Sequence, residues 1–221
     1  MNYSHKSTDY FSNIRKDLVG LIDTKKTGLR VLEIGAAYGE TLYYLKQIGI
    51  AAEVVGIDIF EDKTNPQNYK QTDRFIFGNL EELEFPEYEG YFDLIMLPDV
   101  LEHVADPSII LKKIQHYLKD EGEIIVSMPN IRHYSALYKV FLKGSFDYEE
   151  SGIFDYTHLR FYCRKNIAEL LTSNGYQITL EQSAIKNFKG RSAAKVINTI
   201  TFRLFEEFFS YQYFFKAKVA G

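Results

Sequence analysis

The chain has 221 residues, 46% of them hydrophobic and 25% charged, enough apolar material to fill the core of one large α/β domain. A formal net charge of −4 lacks the clustered lysine and arginine footprint that holds a nucleic-acid backbone, which argues against DNA or RNA as a partner. The single cysteine, Cys163, excludes an internal disulfide framework and a thiolate zinc site, and with no apolar signal core in Met1 to Leu18 and no membrane-spanning run the expected setting is cytoplasmic.

From Tyr10 to Asp23 the apolar residues Phe11, Ile14, Leu18, Leu21 and Ile22 recur at helical spacing and predict an amphipathic helix, either covering a ligand or packing on a sheet edge. Leu29 to Ile34 reads as the first strand. The stretch VLEIGAAYG, Val31 to Gly39, joins it through a turn bracketed by Gly35 and Gly39 to a helix from Glu40 to Ile48. Glycine permits close backbone approach and a helix N-terminus presents unpaired N–H groups, so this unit suits a nucleotide-like ligand, although an ordinary strand-to-helix turn has the same composition. Glu53 to Asp58 predicts a buried parallel strand whose terminal carboxylate either accepts from two ribose hydroxyls or caps the next segment. Arg74 to Phe77 is a short third strand, followed by Asn79, placed to meet an adenine edge, and by the charge run Glu81, Glu82 and Glu84, read as a solvated first helical turn.

Tyr91 to Leu97 is the fourth strand. After Pro98, Asp99, Glu102 and His103 stand at i, i+3 and i+4. On a helical turn they share a face, as a divalent-cation site, an imidazole oriented by a carboxylate, or solvated charges at a helix start. Pro107 to Leu118 predicts a helix begun by Asp106-Pro107, Asp120 to Gly122 a turn, and Glu123 to Ser127 a fifth strand ending in Met128, Pro129 and Asn130. Ile131 to Leu142 is helical in pattern, with Arg132, His133 and Tyr134 at its start. Gly144 to Arg160 is polar, aromatic and irregular, either an insertion over a site or a surface loop, and holds Tyr148, Asp155, Tyr156, His158 and Arg160. Arg164 to Asn174 predicts a helix and Tyr176 to Leu180 a strand. Ala193 to Phe209 predicts a helix with a broad apolar face that packs on the sheet, lines a pocket, or makes a dimer or membrane-surface contact, and Tyr211 to Val219 a final antiparallel strand.

Strands alternating with helices define an α/β fold: a doubly wound, seven-stranded, Rossmann-like sheet with its last strand antiparallel and helices on both faces. Residues 1–221 read as a single domain, divided into a helical cap (1–28), a ligand-binding core (29–130), a helix and loop insertion on the substrate side (131–174), and a C-terminal strand-helix-strand (175–221). Ligands bind such sheets at the carboxyl ends of the strands, where Gly35, Asp58, Asn79, Pro98 and Asn130 all fall. The Gly-Ala-Ala-Tyr-Gly spacing fails the G-x-G-x-x-G pattern and argues against a nicotinamide dehydrogenase.

The strings VLEIGAAYGE, VVGID, FGNLEEL, FDLIMLPDVLEHVADP and LKDEGEIIVSMPN, which together span about half of the chain from Val31 to Asn130, resemble the class I S-adenosylmethionine-dependent methyltransferases in order and spacing. PDVLEHVADP and the downstream FDYTHLRFYCRKNIAELLTSNGY are similar to the small-molecule branch related to ubiquinone-biosynthesis O-methyltransferases, many of whose members resemble methyltransferases of surface-polysaccharide and sugar modification. The resemblance implies S-adenosyl-L-methionine as cofactor, with Glu33 and Gly35 at its methionine amino end, Ala37 and Gly39 shaping the turn, Asp58 on the ribose hydroxyls, Asn79 and Leu80 on the adenine, and Leu97 and Pro98 as the wall beside the methionine. It also implies that Asp99, Glu102 and His103 form a magnesium-dependent group of two acids and a histidine. Two positions depart from the pattern. Ala37 replaces the usual middle glycine, which a negative φ would accommodate, and Asn79 replaces the common aspartate.

Methyl transfer from a sulfonium is an in-line displacement, and a hydroxyl acceptor must also lose its proton. His103, His133 and His158 are the candidate bases, His103 first because it adjoins the expected cofactor wall. Arg132, Tyr148, Asp155, Tyr156 and Arg160 are the candidate contacts to the acceptor. The expected function is O-methylation of a small molecule or of a sugar in surface-polysaccharide metabolism. The alternatives are N-methylation of an amino sugar or amine, and a noncatalytic methyltransferase-fold subunit. The expected partners are a small-molecule or saccharide acceptor and a second copy of the chain, bound through the aromatic C-terminal region.

Overall fold

A sheet covered on both sides needs apolar side chains at both parities of its strands, and nearly every β segment of this chain supplies them. The computed structural model describes residues 13–64, 72–187 and 193–221. Strands β1 (Leu29–Ile34), β2 (Ala51–Asp58), β3 (Arg74–Phe77), β4 (Phe92–Pro98) and β5 (Leu118–Pro129) make up the parallel part. With β6 (Tyr176–Ser183) and β7 (Gln212–Val219) they complete a seven-stranded sheet of order β3-β2-β1-β4-β5-β7-β6, in which β7 is antiparallel to both of its neighbours. Val31, Val54, Leu94, Met96, Ile125 and Phe214 belong to one core, closed by Leu18 of α1 (Lys16–Val19) and by Leu42 and Leu45 of α2 (Glu40–Gln47). Their sequence neighbours Leu32, Val55, Ile95, Leu97, Ile124 and Phe215 belong to the other. That core is closed by Ile110, Leu111 and Ile114 of α3 (Pro107–Tyr117) and, beyond the short α4 (Tyr134–Leu137), by Ile167 and Leu171 of α5 (Arg164–Ser173). The doubly wound fold expected from the sequence is the fold found.

Several elements are shorter than their periodicity predicts, each for a local reason. The start of the predicted Tyr10–Asp23 helix lies outside the described residues, and the remainder is the single turn α1. Arg15 leaves helical geometry, at φ −77° and ψ 65°, and its N–H donates to Thr41 Oγ1 at 3.0 Å. The run Glu81 to Glu84 starts no helix, because the Lys113 ammonium of α3 donates to the carbonyls of Leu80, Glu81 and Leu83 at 2.9, 3.2 and 2.8 Å. The predicted turn at Asp120 to Gly122 lies within β5, whose pairing with β4 shifts register between Phe92 and Leu94. α4 continues as a π-helical turn from Tyr138 to Leu142. The predicted helix from Ala193 to Phe209 is broken into α6 (Ala193–Ile200) and α7 (Glu206–Phe209) by left-handed backbone at Phe202 (φ 51°) and Arg203 (φ 64°). Among the described residues, no helix is long and apolar enough to cross a membrane.

The turn after β1 takes left-handed backbone at Gly35 (φ 72°), Ala37 (φ 51°) and Gly39 (φ 81°). The negative φ that would let alanine replace glycine freely at position 37 is therefore not adopted, and an L side chain there costs about 1–2 kcal/mol. A hydrogen bond from the Ala37 N–H to Asp58 Oδ2, at 2.7 Å, holds the residue in place. Ala37→Gly should relieve more strain than its added unfolded-state entropy costs, a net gain of about 0.5–1 kcal/mol, read as a rise of a few degrees in melting temperature. Gly39→Ala should lower the melting temperature, since its Cβ would meet Thr72 Cγ2 at 2.8 Å in a left-handed backbone.

Candidate active site

The carboxyl ends of β1, β2, β4 and β5 open on one cleft of about 730 Å³. On its β1 and β2 side lie Glu33, Gly35, Ala37 and Asp58, and on its β4 side Pro98, Asp99, Glu102 and His103. Asn79 and Leu80 line it from the loop after β3, and the long loop between α4 and α5 contributes Asp155 and His158. Of the other residues singled out from the sequence, Gly39 is the N-cap of α2 and the Leu97 side chain is fully buried in the core, both outside the lining.

Glu33 projects from β1 with 2% of its surface exposed, and its Oε2 has no hydrogen-bond partner. Burial pushes its carboxyl up to about 8, with the Arg15 charge opposing the shift and that of Asp58 adding to it, so it is mostly protonated at neutral pH. Asp58 accepts the N–H groups of Ala37 at 2.7 Å and Phe60 at 2.8 Å. Burial raises it to about 6 against those bonds, and it is mostly ionised at pH 7. Asn79 forms a local turn in which its side-chain oxygen accepts the Glu81 N–H at 3.0 Å.

The segment after β4 is a tight turn rather than the helical turn expected for Asp99, Glu102 and His103, and it begins with Asp99 at φ 54°. Asp99 does not converge with the other two. Its carboxylate accepts from Arg15 Nη1 at 2.7 Å, from Ser127 Oγ at 2.9 Å and from the Gln212 side-chain amide. Sequence offered little warning of this. An arginine at a predicted helix surface reads as solvated, yet Arg15 is drawn inward; burial disfavours its charge, and Asp99 and Asp17 outweigh that and hold it protonated.

Glu102 is fully buried and both its carboxylate oxygens lack a partner. Burial, then the nearby Asp99 charge, push its carboxyl well above the usual range, favouring the neutral form. Beside it, His103 Nδ1 donates to the Thr157 carbonyl at 3.1 Å and His158 Nδ1 to the Ile153 carbonyl at 2.9 Å. The two rings meet edge to face with centroids 4.6 Å apart. A carbonyl accepts only a protonated nitrogen, so both imidazoles carry their proton on Nδ1 and Nε2 of His103 bears the lone pair. Burial and then the neighbouring His158 lower His103 to about 4, and it is neutral at physiological pH.

Ligand atoms of Glu102, His103 and His158 lie within 4.8 Å of one another. That set of one carboxylate and two imidazoles suits a borderline transition ion, not Mg2+, which takes oxygen ligands. The expected Mg2+ group of Asp99, Glu102 and His103 therefore does not fit: Asp99 is committed to Arg15, and the remaining partner is an imidazole.

From Ile153 to His158 the loop is mostly buried, while its first part, Gly144 to Ser151, lies at the surface. Thr157 donates both its N–H and its hydroxyl to Asp155 Oδ1, at 2.9 and 2.7 Å, and the Leu159 N–H donates to the Glu102 carbonyl at 2.9 Å, fixing the loop across the cleft. The other acceptor contacts expected from the sequence are not brought into the lining. Arg132 pairs with Glu207, Arg160 donates to the Ala105 carbonyl, and Tyr148 and Tyr156 are exposed. His133 caps α4, with its Nδ1 2.8 Å from Ser135 Oγ, and stands behind Tyr211 at a centroid distance of 5.2 Å. Tyr211, Gln212 and Arg15 do line the cleft and were not among the residues singled out; the first two belong to a stretch that reads simply as a strand.

Comparison with known proteins points the same way. A family model described as a methyltransferase domain matches residues 5–181. A ubiquinone biosynthesis O-methyltransferase of Acinetobacter baylyi is 27% identical over 138 residues, 56% of this chain and 57% of that protein. The ubiquinone/menaquinone biosynthesis C-methyltransferase UbiE of Vibrio parahaemolyticus is 30% identical over 127 residues, 52% of this chain and 48% of the relative. The chain thus spans about half the length of the curated relatives it matches. Among solved structures, an S-adenosylmethionine-dependent methyltransferase from Mesorhizobium loti superposes with a TM-score of 0.62 at 15% identity, covering 92% of this chain and 96% of that one. One from Aquifex aeolicus does so with a TM-score of 0.60 at 14% identity, covering 97% and 94%. The likeness in structure is one of fold, and the family match covers most of the sequence: the chain belongs to the methyltransferase-domain family.

Proposed function

We propose that the chain is an S-adenosylmethionine-dependent O-methyltransferase acting on a hydroxyl of a small molecule, with residues 1–221 working as one domain. The observation that carries this reading is the unpartnered, buried oxygen of Glu33 in the same cleft as Asp58 and His103. A primary ammonium would satisfy that oxygen, and a pair of vicinal hydroxyls would satisfy Asp58, which together are the two polar ends of S-adenosylmethionine. The cofactor, when bound, supplies an electrophilic methyl group on a sulfonium. Glu33 holds the ammonium, Asp58 takes the ribose hydroxyls, and Leu80 and Asn79 border the adenine. His103, neutral and with its Nε2 lone pair free of a proton, would accept the proton that the acceptor hydroxyl loses on methylation. Asp155 and His158 close the acceptor side.

Two relatives carry names from quinone biosynthesis, one for an O- and one for a C-methyltransferase, and a hydroxyl acceptor fits the imidazole base better than a carbon acceptor does. A surface-polysaccharide sugar rests on the sequence resemblance alone, since Tyr148 and Tyr156, the side chains able to stack on it, are not in the cleft lining.

Binding should release a proton. Glu33 is mostly protonated at pH 7 in the free protein, and an ammonium beside it makes the carboxylate the favoured form. Titration calorimetry with S-adenosylhomocysteine in two buffers of different ionisation enthalpy should report release of up to about one proton, and Glu33→Gln should abolish it. Asp58→Ala should weaken S-adenosylhomocysteine at least about tenfold in the same assay, through loss of charge-assisted hydrogen bonds. His103→Ala should lower kcat by about 10²- to 10⁴-fold with cofactor affinity within about twofold. In the parent protein kcat should stay flat down to about pH 5 and fall below it, because protonation of an imidazole near 4 removes the base. An equal loss of turnover and cofactor binding in His103→Ala would assign that residue to structure instead.

A further inference from the structure

The two imidazoles of the cleft are oriented as metal-binding histidines are. His103 and His158 each give the Nδ1 proton to a backbone carbonyl, of Thr157 at 3.1 Å and of Ile153 at 2.9 Å, which puts the lone pair of each ring on Nε2. Both carbonyls belong to the loop that carries His158, and that loop is tied to the turn after β4. The N–H groups of Leu159 and Arg160 donate to the Glu102 carbonyl at 2.9 and 3.2 Å. The main chain of Glu102 thus anchors the loop, while its carboxyl, fully buried, has no partner for either oxygen. A buried polar group without a partner is costly to keep. A ligand atom from each of Glu102, His103 and His158 lies within 4.8 Å of the other two, and among the described residues no other group of histidine, cysteine and carboxylate side chains gathers three so closely.

Zinc draws nitrogen and oxygen donors to about 2.0–2.2 Å, so donors that share one ion stand about 3–4 Å apart, and side-chain movement of about an ångström closes this set on a cation. One carboxylate and two imidazoles are a known donor set of three-ligand zinc sites that keep a fourth position open. All three residues line the cleft. A cation there also satisfies the Glu102 oxygens, the carboxyl giving its proton to solvent as the ion binds.

We propose that Glu102, His103 and His158 form a site for a borderline divalent transition ion of the zinc class, and that the bound ion holds methyl transfer off. A lone pair cannot bind a metal and accept a proton at once, so the loaded protein lacks the His103 base. The third donor decides which ion is taken. With the Asp99 carboxylate turned to Arg15, that donor is the His158 imidazole, which favours zinc over an oxygen-seeking ion such as Mg2+. Binding of the ion stands apart from the methyl-transfer reading, whereas its inhibitory consequence rests on that reading.

The test is titration of the metal-free full chain with Zn2+ by calorimetry, and with Co2+ by visible absorption. One ion should bind per chain, and about a hundredfold excess of Mg2+ should not displace it. His158→Gln and Glu102→Gln should each weaken Zn2+ at least about tenfold. Glu102→Gln keeps the shape of the carboxyl, and its melting temperature should stay within a few degrees of the parent. His133→Gln, outside the cleft lining, should bind Zn2+ like the parent. In a turnover assay, Zn2+ at the concentration that saturates the binding signal should lower kcat at least about tenfold, and a chelator should restore it. Absence of saturable Zn2+ binding, displacement by Mg2+, undiminished binding in both ligand variants, an equal loss in His133→Gln, or turnover that zinc leaves unchanged or raises would overturn the proposal. Failure of the methyl-transfer reading would show separately, as absence of S-adenosylhomocysteine binding to the metal-free protein.

Discussion

A guanidinium removed from water must be ringed by acceptors, and the way Arg15 meets that demand organises the site. Its N–H groups reach Asp17, Asp99, Ser127 and Gln212, joining the segment before α1 to the ends of β4, β5 and β7. Asp99 is the centre of this arrangement. Held by Arg15 and Ser127, it keeps a left-handed backbone, and the chain leaving β4 turns tightly instead of entering a helix. Glu102 and His103 are thereby turned under the loop that carries Asp155 and His158, not out along a helix face. One partly buried ion pair thus decides which acid stands beside the imidazoles.

The cleft that results sets titratable groups kept uncharged beside the Arg15–Asp99 ion pair. Glu33 is held protonated by burial, Glu102 is pushed toward its neutral form, His103 is held neutral by burial and by His158, and Asp58 stays mostly ionised, supported by two backbone N–H groups. A cationic ligand changes the site on arrival by drawing the Glu33 carboxyl into its ionised form. Stability responds to pH from both sides. Protonated Glu33 is favoured in the folded chain from its ordinary value up to about 8, so ligand-free stability falls as pH rises through that range, whereas neutral His103 weakens the fold as pH falls from about 6.5 toward 4.

The strands are legible in the sequence because both faces of the sheet are buried and each strand repeats apolar residues at both parities, as at Val31 and Leu32 or Leu94 and Ile95. Strand-end positions such as Gly35, Asp58 and Pro98 follow from topology, and the cleft lies where those ends converge. What sequence does not carry is the partner of a side chain distant along the chain. Nothing near Asp99 announces that Arg15 will claim it, and nothing near Glu81 announces that Lys113 will take the carbonyls a helix would have used. Ala37 shows the opposite limit: the motif position is plain, but the sign of its φ depends on a hydrogen bond to Asp58. Histidines are the hardest to sort, since nothing in the sequence around His103, His133 and His158 says which of them meet. The deciding fact, that two of them meet across the cleft while the third caps a helix, is set by how the loop from Gly144 to Arg160 folds back.

The place of β7 in the sheet carries a consequence for how the chain assembles. Last in sequence, it lies between β5 and β6, and among the described strands β6 is hydrogen-bonded to β7 alone. The segment from Tyr176 to Ser183 is therefore synthesised well before it has a strand to pair with, and the open edge of β5 waits for the same arrival. Closing that gap brings together residues as far apart as Glu123 and Lys218, a long loop whose entropy must be overcome before the pairing returns anything. The same pairing brings Phe214 and Phe215 of β7 into the two cores on either side of β1 to β5. It is also the pairing that puts Tyr211 and Gln212 at the wall of the cleft.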